Sequence, residues 1–187
     1  MQSPTAVRTV TDPTDPALAQ VADLIVAAVG RREAIGLTGP LTPADYRSYL
    51  GTLLEEGTRT DAGLVVAEID GAVAGTAQWR RSPYRTRAVL AELDRVCVDP
   101  GHRGAGLGHA LVEAIAADAA THRVEVLSLE VRGNNHAAIA LYEGCGFRRT
   151  GRIENAVADG DARHDVVLMT RELARPATAR LLGALRS

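Results

Sequence analysis

Cysteine is scarce in this chain of 187 residues: Cys97 and Cys145 are the only two. That is too few for a disulfide framework, and the pair lacks the spacing of a zinc site. Both are expected to be reduced, because Cys97 lies between Val96 and Val98 in an apolar run and Cys145 sits beside a turn, settings that favour buried packing over nucleophilic chemistry. The five histidines, His102, His109, His122, His136 and His164, show no ligand-type clustering, so no metal is expected. Aromatic residues make up 3% and the formal net charge is −2. The chain therefore offers neither a stacking platform for bases nor a basic field for phosphates, and nucleic acid is not an expected partner. Long apolar runs are missing too. Residues 17–29 are interrupted by Gln20 and Asp23, unlike a signal peptide or a spanning helix, so no membrane is expected and the location is read as cytoplasmic.

What is present is ordinary for a globular protein, with 46% hydrophobic and 24% charged residues. The length suits a single domain over residues 1–187, with a core at about 6–173 and a C-terminal extension at 174–187. Leu18, Val21, Leu24, Ile25 and Ala28 recur at helical spacing, which predicts a first helix. Thr42, Pro43 and Asp45 form a helix start for a second, carrying Tyr46, Tyr49, Leu50, Leu53 and Leu54. Residues 64–69 and 72–79 flank Asp70-Gly71 and predict a β-hairpin. A strand at 90–98, a helix at 106–121, a strand at 124–131, a helix at 137–142 and two strands at 147–153 and 164–170 follow, with one more strand at 6–10 in view. This order predicts an α/β fold, a mixed sheet with helices on its faces.

Between the strand at 90–98 and the next helix lies a loop with Gly101, Gly104, Gly106 and Gly108. Backbone N–H groups of such a loop, with the positive end of the following helix, suit an anion such as a pyrophosphate. A P-loop would need Gly-Lys-Ser/Thr, but Gly108 is followed by His109 and Ala110. A dinucleotide fingerprint starting at Gly104-Ala105-Gly106 would need glycine where His109 stands. What remains is Arg103-x-x-Gly106-x-Gly108, and downstream Asn134-Asn135-His136-Ala137-Ala138-Ile139-Ala140-Leu141-Tyr142-Glu143-Gly144-Cys145-Gly146-Phe147.

The first pattern resembles the (Arg/Gln)-x-x-Gly-x-(Gly/Ala) signature of the Gcn5-related N-acetyltransferases, the GNAT superfamily, and the second resembles that family's N-x-x-A-x-x-L-Y-x-x-x-G-F block. The resemblance covers about residues 64–170. It implies a GNAT fold with a central sheet of six to seven strands and about four helices, and acetyl-CoA as cosubstrate. Arg103, Gly104, Ala105, Gly106, Leu107 and Gly108 would hold the coenzyme pyrophosphate. The strand at Val96, Cys97 and Val98 would present its main chain to pantetheine and thioester. Asn135 would bond a pantetheine amide, cap the helix that follows, or do both. Tyr142 fits a general acid for the leaving sulfur.

The run Leu129-Glu130-Val131-Arg132 through Gly146-Phe147 is further similar to the bacterial ribosomal-protein alanine N-acetyltransferases, which implies Glu130 as general base. Glu92 and Asp94, on one side of the preceding strand by period two, are the rival bases. The implied acceptor is a small-molecule amine, such as an antibiotic or metabolite, or a protein N-terminus, met by the N-terminal helices and the last hairpin at 155–163. A homodimer stays open, as does a non-catalytic acyl-CoA-binding sensor. Arg80, Arg81, Arg85 and Arg87 read as a solvated loop, and Trp79 as a packed sheet residue.

Overall fold

The computed structural model describes residues 5–55 and 61–173. Among them seven strands form one sheet in the order β1-β2-β3-β4-β5-β7-β6. The strands are β1 (Thr5–Val10), β2 (Ala62–Ile69), β3 (Ala72–Arg81), β4 (Leu90–Val98), β5 (Val126–Arg132), β6 (Arg148–Asp159) and β7 (Ala162–Glu172). Four helices cover it: α1 (Ala17–Gly30), α2 (Pro43–Leu54), α3 (Leu107–Thr121) and α4 (His136–Gly144). All neighbouring strands run antiparallel except β4 and β5. The predicted mixed α/β fold is present, and so is the strand at the N-terminus. The predicted C-terminal extension at 174–187 lies outside the described residues.

Each face of the sheet carries its own core. Leu64 and Val66 of β2 pack with α1 and α2, through Leu18, Val21, Ile25, Leu50 and others. Val65 and Ala67 face the other way, into the α3 side with Leu111, Ile115 and Phe147. A strand covered on both faces needs apolar residues at every position, which is why β2 reads as a continuous apolar run instead of an alternation. α2 starts where the sequence indicates: Thr42 Oγ1 accepts from Asp45 N–H at 3.2 Å, and Asp45 accepts in return from Thr42 N–H. Such a cap is worth about 1 kcal/mol.

The two C-terminal strands are longer than the predicted 147–153 and 164–170. β6 is exposed along nearly its whole length, so it lacks the apolar period that a sequence reading follows, and its extent is set by backbone pairing with β7.

Two irregularities shape the centre of the sheet. Thr76 pairs with Cys97 and Gln78 with Asp94, so Arg95 and Val96 together oppose Ala77 in a bulge, with Arg95 at φ +51°. The extra residue inverts the side-chain parity: Leu93 belongs to the α3 core and Cys97 to the α1/α2 core. The parallel pairing of β4 with β5 stops after three registers, Leu90–Val126, Ala91–Leu127 and Glu92–Ser128. Beyond Glu92 the strands part, and the edge of β4 toward β5 lies open.

Candidate active site

The gap between β4 and β5 continues into a cavity of about 700 Å³ whose lining joins both sequence motifs. Its floor comes from Val96, Cys97 and Val98, its rim from Arg103, Gly104, Gly106, Leu107 and Gly108, and its far wall from Asn135 and Tyr142. Of the residues expected to meet a coenzyme only Ala105, which is exposed, lies outside this lining.

The glycines have separate reasons. Gly104 and Gly106 both sit at φ +80°, where a side chain costs roughly 1–2 kcal/mol. Gly106 is the N-cap of α3 and brings no side-chain cap, so the first N–H groups of the helix stay available to an anion. Gly108 has ordinary backbone, but a Cβ there would stand 3.1 Å from Leu141 Cδ2. Its bare Cα lets α4 close against α3 and brings the second motif to the first.

Asn135 caps α4, with its Oδ1 accepting from Ala138 N–H at 3.2 Å; its amide nitrogen is not used in that bond. The Tyr142 ring packs edge-on against Phe147 at 5.8 Å between centroids. Burial, and then the charge of Asp94, push its phenol up to about 12. Cys97 is buried, and desolvation pushes its thiol up to about 11, which suits packing.

A second cavity, of about 710 Å³, abuts the first. It is walled by the α1–α2 loop at residues 31–42, by β5, and by the β6–β7 hairpin through Val157, Ala158, Asp159 and Gly160. Six residues line both cavities: Arg32, Glu33, Ala34, Glu130, Val131 and Arg132. Glu130 is exposed at this junction, on the strand face opposite buried Leu129 and Val131. Glu92 lines neither cavity. It is exposed overall, yet its carboxyl is held above the usual range, first by partial desolvation and then by the negative charges of Asp94 and Glu130.

The family model for the acetyltransferase (GNAT) family matches residues 33–147. An N-alpha-acetyltransferase of Sulfurisphaera tokodaii is 31% identical over 139 residues, covering 70% of this chain and 80% of that protein. The chain belongs to the GNAT family.

Another relative, the [ribosomal protein bS18]-alanine N-acetyltransferase of Escherichia coli K12, is 41% identical over 86 residues, 45% of this chain. The chain spans 58% of that enzyme's length. Among solved structures, a GNAT superfamily phosphinothricin acetyltransferase from Sinorhizobium meliloti in complex with AcCoA superposes with a TM-score of 0.78 at 21% identity, covering 93% of this chain and 91% of that one. At that identity the likeness concerns the fold.

Within this GNAT frame the structure adds residues that sequence reading missed. Glu33 accepts from Arg31 Nε at 2.7 Å and from Arg103 Nη2 at 2.6 Å, so a loop with no motif is tied to the glycine loop by the motif's own arginine. Arg103 Nε also donates to Val98 O at 3.1 Å. Arg31-Arg32-Glu33 is a compact charge cluster just after a helix, but nothing in its spacing signals a site. Trp79 is fully buried on the α3 face, donating from Nε1 to Asp118 at 2.7 Å, away from both cavities.

His109, Glu113 and Cys145 bring donor atoms within 4.8 Å of one another. Both Glu113 oxygens are engaged by Arg171, at 2.6 and 2.9 Å, and desolvation first, then the charge of Glu113, raise the Cys145 thiol above its usual value. A cation here would have to displace a guanidinium and ionise a buried thiol, so the donor set fits an ion pair better than a metal centre. No helix among the described residues is long and apolar enough to cross a membrane.

Proposed function

We propose that this chain transfers an acetyl group from acetyl-CoA to a primary amine, with the coenzyme in the β4–β5 cavity and the acceptor in the adjoining one. The observation that carries the reading is Glu130: it lines both cavities, while Tyr142 lines only the coenzyme side. A base is wanted where the amine meets the thioester, and an acid where the sulfur leaves.

An amine of pKa ~10.4 is about three units from neutral at pH 7, a cost of roughly 4–5 kcal/mol that a base must help meet. We assign that role to Glu130, directly or through one water. Glu92, set back from both cavities, then adds negative charge to the same region and draws in a cationic acceptor. Tyr142 stays protonated at any physiological pH and serves as donor to the departing sulfur. The desolvation that raises its own phenol also makes the thiolate more basic, so the acid and the group it protonates shift together. The open edge of β4 and the uncapped start of α3 would take the pantetheine and the pyrophosphate.

The acceptor is a protein N-terminus or a small amine. The alanine N-acetyltransferase likeness supports the first, and the volume of the second cavity accommodates either. A thiol-release assay with acetyl-CoA against peptides, amino acids, polyamines and aminoglycosides, run beside Tyr142→Phe and Glu130→Gln, tests the reading. The sequence contains no lysine, so acetyl-lysine found in such an assay belongs to the acceptor. Tight coenzyme binding with no turnover on any amine would replace the enzyme by a coenzyme sensor.

A further inference from the structure

Arg132 is an under-used guanidinium in the wall between the two cavities. Among the described residues its guanidinium makes one side-chain bond, from Nη1 to Asp159 Oδ2 at 3.1 Å, at the tip of the β6–β7 hairpin. Its Nε is buried with no partner among the described residues, although the side chain as a whole is 24% exposed. A buried donor without a partner is destabilising, so the group gains if an oxygen arrives and the guanidinium turns toward it. Asp159 lines the acceptor cavity and not the coenzyme cavity, which places the guanidinium head on the acceptor side.

We infer that Arg132 reads an oxygen next to the acceptor's amine, so that the acceptor is an α-amino acyl compound, either a peptide N-terminus or a free α-amino acid. This rests on the reading of the second cavity as the acceptor's. Arg132 stands two residues beyond Glu130 on the same face of β5, a spacing of about 7 Å along a strand. In an α-amino acyl group the nitrogen and the carbonyl or carboxylate oxygen lie roughly 3 Å apart, and the two side chains close the remaining distance from either end. The free Nε–Nη2 edge can donate two parallel bonds to a carboxylate or fewer to a peptide carbonyl. Asp159 holds the guanidinium in place until then and competes with the substrate for it. Glu33, the other carboxylate at the junction, is already engaged by Arg31 and Arg103.

The test uses the full chain saturated with coenzyme A and measures binding of three acceptors by calorimetry: an alanine-headed tetrapeptide, free L-alanine, and an alkylamine of similar size without the oxygen. The wild-type protein is expected to bind at least one oxygen-bearing acceptor well above the alkylamine. Which one it prefers identifies the source. Arg132→Gln is expected to weaken that acceptor about ten- to a hundredfold, the range of one charge-assisted hydrogen bond, and to weaken the alkylamine far less. Asp159→Asn removes the competitor and is expected to tighten the same acceptor severalfold, an effect opposite to that of breaking a merely structural pair. Equal binding of all three acceptors, or equal loss on all three in Arg132→Gln, overturns the inference, as does Asp159→Asn acting in the same direction as Arg132→Gln. Because the readout is binding, absence of turnover would count against the proposed reaction without deciding this point.

Discussion

The two cavities are nearly equal in volume, about 700 and 710 Å³, yet they are built from different material. The β4–β5 cavity has backbone features that the other lacks: a strand edge released where β4 leaves β5, two glycines at φ +80°, and the bare start of α3. The adjoining cavity is walled by a loop and a hairpin, and of its charged residues Glu33, Glu130, Arg132 and Asp159 only Asp159 is not shared with the first. A backbone cradle constrains sequence strongly, because only certain residues allow it. A side-chain pocket leaves the identity of its walls to the substrate.

The largest effects should fall where the cavities meet. Tyr142→Phe is expected to lower kcat about 10²- to 10⁴-fold with coenzyme affinity unchanged within about twofold. Glu130→Gln should act similarly and hit high-pKa amines hardest, as stopped-flow thiol release against amine pKa will read. If Tyr142 is the donor, the wild-type rate should also hold through pH 9 on the alkaline side, because the phenol is pushed up to about 12; an alkaline fall with an unaltered amine would remove it from that role.

A paired substitution sharpens the contrast. Gly106 and Gly160 both have positive φ, +80° and +59°, and a Cβ at either meets nothing within 4 Å. Alanine at either site should therefore cost only conformational strain, roughly 1–2 kcal/mol, or about 2–8 °C in Tm. Gly106→Ala should weaken coenzyme binding severalfold and spare the acceptor KM; Gly160→Ala should do the reverse. Matching effects on both ligands would mean that the cavities are not separable. Arg103→Ala probes the link directly, since Arg103 holds Glu33, which lines both cavities. Acceptor and coenzyme KM are both expected to rise about three- to tenfold, while stability changes by at most ~1 kcal/mol, because the pair is partly exposed.

The smallest effect is in acid. Asp15 is held below the usual carboxylate range, chiefly by its hydrogen bonds from Arg8. That contribution is fully present above an unfolded pKa of ~3.9 and lost as pH falls through the lower folded value. Glu92 has the opposite sign, because its folded pKa is raised and protonation relieves its desolvation. Melting curves from pH 6 to pH 3 on Asp15→Asn and Glu92→Gln should show the wild-type acid loss reduced in the first. At pH 6 the second should be stabilised relative to wild type, and that gain should shrink in acid.

Much of the fold was legible because burial writes a period into sequence. α1, α3 and β2 each carry their apolar pattern, and Thr42 with Asp45 marked a helix start that the hydrogen bonds match. β6 was legible only in part, since an exposed strand has no pattern to read. For the site, Gly104, Gly106, Gly108 and Asn135 each answer a local demand: a positive φ, a close helix approach, a cap. The α1–α2 loop was invisible. Arg32, Glu33 and Ala34 matter through what they stand beside, about a hundred residues away in sequence at Glu130 and Arg132.

By itself, then, the sequence determined the glycine loop and the family, since both rest on short-range backbone constraints that only a few residue types satisfy. Only the tertiary structure decided which carboxylate stands between the two cavities. Glu92 and Glu130 lie on neighbouring strands near the last paired register, Glu92–Ser128, and are equivalent by period and chemistry. The parting of β4 from β5 beyond that point exposes Glu130 to both cavities and leaves Glu92 outside them. That is a matter of how two strands separate in space, which no local pattern records.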